Sequence, residues 1–120
     1  MKAYSTVIHQ GKTIILVDIA NTWPEEAILA MAEAQKKITL LPLSSVLILT
    51  DVTNTIFTNA SLNALKSFAS KNTPYVKASA VVGAEGLRAA LHQMIVTITR
   101  REIKAFKSRA EALDWLAAHD

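Results

Sequence analysis

The chain has 120 residues, 51% of them hydrophobic and 19% charged, which fits one compact globular domain and excludes a disordered or collagenous chain. It has no cysteine, so a disulfide framework, a thiolate nucleophile and sulfur ligation of a metal are excluded. Thirteen Lys and Arg against ten Asp and Glu leave a net charge of +3, too mild a bias for a nucleic-acid footprint.

In chain order, Tyr4 to His9 and Thr13 to Ile19 are β-branched runs separated by Gln10-Gly11-Lys12, which predicts an opening hairpin. A helix start follows at Asn21-Thr22-Trp23-Pro24-Glu25-Glu26: Asn21 or Thr22 is placed to cap, Pro24 suits the first turn, and two acids meet the positive dipole end. Ile28, Met31, Ala32 and Gln35 recur at helical spacing and carry this helix to about Lys37. After a loop with Pro42, Val46-Leu47-Ile48-Leu49 is a continuous apolar run, the mark of a strand buried on both faces, and it ends in Thr50-Asp51. The second predicted helix carries Leu62, Leu65, Phe68 and Ala69 as its inner stripe and stops near Lys71-Asn72, before Pro74.

Val76 to Val82 predicts the next strand, closed by Gly83. Gly83-Ala84-Glu85-Gly86 turns into a third predicted helix with the stripe Leu87, Leu91, Met94, Ile95 and Ile98. Ile103 to Phe106 is a short last strand, and Ser108-Arg109-Ala110-Glu111 reads as a capping box opening a fourth helix, with Leu113 and Leu116 inward and Trp115 close by. The whole chain, 1–120, therefore predicts a single α/β domain. It has a mixed sheet of about five strands, an opening hairpin followed by β-α alternation, flanked by about four helices.

Catalytic motifs are missing. Neither phosphate-binding glycine signature is present, and Gly83 with Gly86 is explained by a tight strand-to-helix turn. His9, His92 and His119 are scattered, without a carboxylate or second histidine at ligand spacing, so no metal is expected; His119 is read as part of a frayed end. Asp51 closes the most buried strand, where open α/β sheets place their ligand crevice, and Asp18 ends the strand before. A lone carboxylate there usually accepts loop amides, and the sequence names no basic partner for either. Ser61 and Ser108 read as helix-start serines. The expectation is no enzyme activity and no cofactor.

Charge and apolar surplus converge at one place. Residues 1–60 carry four bases and five acids, residues 61–120 nine and five, with the excess at Arg88, Arg100, Arg101, Lys104, Lys107 and Arg109. The third predicted helix adds Ala84, Ala89, Ala90 and Val96 to its stripe, leaving a thin polar edge of Arg88, His92, Gln93, Thr97 and Arg100. A helix apolar over most of its circumference is packed on two sides or faces a ligand, a partner or a membrane surface. The bases that follow are what an anionic lipid surface would meet. The candidate ligand- or membrane-binding residues are therefore Leu87, Arg88, Leu91, Met94, Ile95, Val96, Ile98, Arg100, Arg101 and Lys104. The start of the chain lacks the apolar run of a signal peptide and no stretch is long enough to span a bilayer, so a cytoplasmic protein, peripheral to the membrane at most, is expected.

Val46 to Thr53 with the loop that follows, Pro74 to Gly83, and Ile103 to Phe106 with Glu111 to Leu116 together resemble the SpoIIAA-like proteins of the STAS superfamily over nearly the whole chain. That resemblance implies a mixed sheet flanked by helices, no enzyme activity and no cofactor. Members that antagonise anti-sigma kinases carry Asp-Ser-Ser-Gly at the start of the second helix and are phosphorylated on its first serine. The matching stretch here is Asn59-Ala60-Ser61-Leu62, and Ala60 has no hydroxyl to accept phosphate. A branch similar to lipid-transfer domains implies apolar ligands and membrane association, which suits the third predicted helix. The partners that follow are an apolar ligand or anionic membrane surface, a protein partner, or a second copy of the chain in a homodimer; nucleic acid is not expected.

Overall fold

The computed structural model describes residues 3–84 and 103–119. Five strands, β1 (Tyr4–His9), β2 (Lys12–Asp18), β3 (Val46–Asp51), β4 (Val76–Val82) and β5 (Ile103–Phe106), form one sheet in the order β1-β2-β3-β4-β5. The β1–β2 pair is antiparallel and every later pair is parallel, as the hairpin and the βα alternation predict. Three helices are present among the described residues: α1 (Pro24–Ile38), α2 (Asn59–Asn72) and α3 (Arg109–Ala117). The third predicted helix, with Leu87, Arg88, Leu91, Met94, Ile95, Val96, Ile98, Arg100 and Arg101, lies outside the described residues, as does His92.

The hairpin closes on two residues rather than three. Gln10 and Gly11 both take left-handed backbone angles, φ 50° and 78°, the geometry that lets a two-residue turn match the strand twist. Lys12 consequently opens β2 opposite His9, and Ile19 falls beyond the strand. β3 is the middle strand and all six of its residues are buried, so the apolar run at its start was a sound sign of the sheet centre.

One face of the sheet carries α1 and α2. Ile15, Val17, Val46 and Ile48 pack there against Ala27, Met31, Ala34, Ile38, Leu65 and Phe68. The inner face of α1 is thus Ala27, Met31, Ala34 and Ile38, while Ala32 is exposed and Ile28 and Gln35 lie on the flank. Trp23, not Asn21 or Thr22, caps α1: Asn21 is left-handed (φ 60°), and the Thr22 hydroxyl donates to the Ile19 carbonyl at 2.6 Å. The Glu26 carboxylate accepts the Trp23 N–H at 3.1 Å. In α2 the buried residues are Ser61, Leu65, Phe68 and Asn72, and Leu62 and Ala69 sit half-buried beside them.

The opposite face carries α3. Ile14, Leu47, Leu49, Ala78, Ala80 and Val82 meet Ala112 and Leu116 there, with Phe106, Leu113 and Trp115 at the margin. Leu113 is therefore only partly inward, and Ala117 takes the deeper place. Lys77 explains why β4 can serve both cores. Val46 pairs with Val76 and Leu47 with Ala78, so Lys77 is an extra residue that flips the alternation, turning Val76 to the α1/α2 side and Ala78 to the α3 side.

Candidate functional site

The parallel strands run so that β2 and β3 end side by side on Asp18 and Asp51, which are register partners. Two adjacent carboxylates need a counter-charge, and α3 brings it. Ser108 caps α3, its hydroxyl accepting the Glu111 N–H at 3.3 Å, as the capping box predicts. That fixes Arg109 as the first helical residue, over the strand ends. Its Nε donates to Asp51 Oδ2 at 2.6 Å and its Nη2 pairs with Asp18 Oδ2 at 3.1 Å. The basic partner that local sequence could not name is thus 58 residues from Asp51.

The remaining oxygens of both carboxylates shape the loops. Asp51 Oδ1 accepts from the Thr53 N–H at 2.9 Å and the Thr53 hydroxyl at 2.6 Å, and Asp18 Oδ1 accepts the Ala20 N–H at 3.1 Å. Thr53 passes the order on, because its carbonyl accepts the Asn21 N–H at 2.8 Å, and Ile56 N–H donates to the Thr22 carbonyl at 3.2 Å. Gly83 seals the arrangement. It holds φ 81°, and a Cβ there would lie 2.6 Å from Thr53 Cα, so a side chain would push β4's exit off the β3 loop.

The Asp51 side chain is only 7% exposed. Burial pushes its carboxyl up, but hydrogen bonds from Thr53 and Arg109 and the guanidinium charge outweigh that and leave its pKa below the ordinary carboxylate value. For Arg109, burial favours the neutral form, and the two carboxylates overcome it and raise the pKa. An ionised acid whose oxygens are all engaged is poorly suited to taking a proton near neutral pH. The arrangement is a brace that ties α3 to the loops after β2 and β3.

The other candidates are placed as follows. Lys104 lies exposed on β5, its Nζ 5.7 Å from the centre of the Phe106 ring, and Lys107 is exposed just beyond the strand. Thr58 caps α2 and shares a reciprocal pair with Ser61: the Ser61 N–H donates to Thr58 Oγ1 at 3.2 Å and the Thr58 N–H to Ser61 Oγ at 2.8 Å. Ser61 is fully buried, so it is a helix-start serine whose hydroxyl faces inward, while Ala60 beside it is exposed. His9 has a carboxylate partner after all, Asp114 of α3, with Nε2 and Oδ1 2.7 Å apart. His119 is not frayed: its Nδ1 is 2.9 Å from the Trp115 carbonyl, its ring stacks edge-on against Trp115, and its carbonyl accepts from Lys12 Nζ. Among the described residues no cluster of His, Asp and Glu could hold a metal, and no helix is long and apolar enough to cross a membrane.

No protein-family model matches the chain, and neither does any curated protein. A solved structure does. The crystal structure of an uncharacterized protein of the DUF3478 family, with a SpoIIAA-like fold, from Shewanella loihica PV-4 aligns with a TM-score of 0.73 at 17% identity. The alignment covers 95% of this chain and 92% of that one. This chain has the SpoIIAA-like fold. The expectation drawn from Val46–Thr53, Pro74–Gly83 and the closing strand and helix therefore holds at the level of the fold.

Proposed function

We propose that this SpoIIAA-like domain is a binding module that takes an apolar, lipid-like ligand or meets an anionic membrane surface through residues 87–104. The observation that carries the reading is the coincidence, in one segment, of an apolar surplus (Leu87, Leu91, Met94, Ile95, Val96, Ile98) with the bases Arg88, Arg100, Arg101 and Lys104. The exposure of Lys104 and Lys107 supports it, because cations that met a membrane would have to stand clear of the core. The engagement of every oxygen of Asp51 supports a binding role over acid–base chemistry.

Co-sedimentation with phosphatidylglycerol-rich vesicles tests it. Each base near an anionic leaflet contributes about 1 kcal/mol, so replacing Arg100, Arg101 and Lys104 with Gln weakens binding by roughly two orders of magnitude. Added salt weakens the wild type in the same direction. Val96→Asp weakens binding at unchanged melting temperature; if instead it unfolds the protein, the segment is core and the reading fails.

A second reading, a protein-interaction regulator of the anti-sigma-antagonist type that works without phosphorylation, is favoured by a different observation. Trp23 is 63% exposed and Ile56 50% exposed, on loops joined backbone to backbone at the strand ends. Large apolar side chains held on ordered loops are what a protein partner engages. Loss of a captured kinase-like partner on Trp23→Ala, with vesicle binding unchanged, would select this reading over the first.

A further inference from the structure

The two edges of the sheet are guarded very differently. β5 is four residues long, carries Lys104 exposed and is followed by exposed Lys107, the usual means of keeping one edge from pairing with another. β1 is six residues long, Tyr-Ser-Thr-Val-Ile-His, with no lysine, acid, proline or bulge, and its Ile8 is 70% exposed. Among the described residues nothing pairs with its outer side.

The backbone polarity of that outer side follows from the ladder. His9 and Lys12 close the hairpin, and at the other end the Asp18 N–H donates to the Ala3 carbonyl at 2.7 Å. The backbone groups of residues 3, 5, 7 and 9 therefore point at β2. Those of Tyr4, Thr6 and Ile8 point outward, because the two alternate along an unbulged antiparallel strand. We propose that β1 is a homodimer interface, pairing antiparallel with β1 of a second copy about a two-fold axis through Thr6.

Only that register is fully self-complementary. It sets Tyr4 opposite Ile8 of the second copy and Thr6 opposite its own mate, so all three outward N–H groups and all three outward carbonyls of each chain are bonded. It keeps matching faces together and joins the two sheets into one of ten strands. It also lays an aromatic ring beside the exposed β-branched side chain, a favourable cross-strand pair. β1 itself has no lysine, arginine or acid to set like charges face to face, whereas β5 paired with itself would bring Lys104 of the two copies close together. A shift by one pair leaves Tyr4 unbonded, and a shift by one residue turns every side chain to the wrong face.

Sedimentation of the full chain over a range of concentrations tests the interface, and the wild type is expected at twice the mass of one chain. Thr6→Pro removes an N–H that β2 does not use, so the monomer keeps its fold and circular dichroism while the dimer is lost. Thr6→Lys, which places two cations on the axis, does the same should the proline disturb the strand. The absence of cysteine allows a positional check. Thr6→Cys puts two thiols within about 5.5 Å between Cα atoms, and a short bis-maleimide links them. Ile8→Cys separates the thiols by four residues of strand, about 13 Å, beyond that reagent, and stays unlinked. A wild type that remains monomeric at the highest concentration overturns the proposal. A folded Thr6→Pro or Thr6→Lys that still dimerises overturns it equally, as does equal crosslinking at both positions.

Discussion

The two faces of the sheet are covered by different physics. On one, α1 and α2 bury Met31, Ile38, Leu65 and Phe68 against Ile15, Val17, Val46 and Ile48, and large aliphatic side chains do most of the holding. On the other, a nine-residue helix meets a floor built partly of alanines, Ala78 and Ala80, through Ala112 and Leu116. Among the described residues polar ties also orient this helix, and they are spread along α3: Arg109 to Asp18 and Asp51 at its start, Asp114 to His9 and Gln10 midway, and the His119 carbonyl to Lys12 past its end. Apolar packing is indifferent to pH and salt over a wide range, and charged ties are not. The α1/α2 face should thus set global stability, and the α3 face should report solution conditions.

The largest effect belongs to the first face. Ile48 is 3% exposed in the middle strand and packs into the α1/α2 core, so Ile48→Ala is expected to cost about 2–5 kcal/mol in urea unfolding, the lost transfer energy plus the cavity left behind. The cost should be the same at pH 5 and pH 8, because the buried residues of that core among the described ones carry no ionisable side chain. A cost below about 1 kcal/mol would mean that the central strand can relax around the change, and the contrast between the faces would collapse.

Arg109→Gln should cost less and behave differently. It leaves Asp51 buried without its counter-charge, but the Arg109 side chain is 42% exposed and the pair is partly screened, so about 1–2 kcal/mol is expected. The pH dependence is the sharper readout. Asp51 titrates below its ordinary value in the folded protein, so in the window just under pH ~4 the unfolded chain binds more protons and stability rises with pH. That contribution is present above the unfolded pKa and is lost as pH falls through the folded one. Without Arg109 the folded pKa moves up and the acid limb flattens. An unchanged acid limb in the variant would show that Thr53 alone holds the carboxylate.

The same contrast separates what could be read in the sequence from what could not. The α1/α2 face was legible because its signals are local: an apolar run for β3, helical spacing through Met31, Leu65 and Phe68. Which side of α1 packs is less legible, since Ala27 and Ala34 are weak hydrophobic signals yet allow close approach to the sheet. The brace was legible only in parts. Asp18 and Asp51 stood out by their places at strand ends and Arg109 by its place after a cap, but their meeting depends on parallel register and on which face α3 takes. A buried Ser61 was likewise beyond local reading, because its depth is set by how α2 leans on the sheet.

The smallest expected effect tests whether the ties along α3 are equivalent. Asp114 meets His9 at 2.7 Å and Gln10 at 3.1 Å, short distances that a simple contact inventory would rank beside Arg109. Its side chain is 64% exposed, however, and exposed polar contacts gain little, because water already solvates both partners and ordering the side chains costs entropy. Asp114→Asn, which preserves size and one acceptor, is therefore expected to cost less than about 1 kcal/mol, with a difference from wild type that fades in high salt. Amide exchange locates the effect: protection should fall in the last turn of α3 and in β1, where His9 lies, while Arg109 still holds the first turn. Loss of protection along the whole of α3 would instead make Asp114 the equal of Arg109, and the start of the helix would no longer be the point from which it is hung.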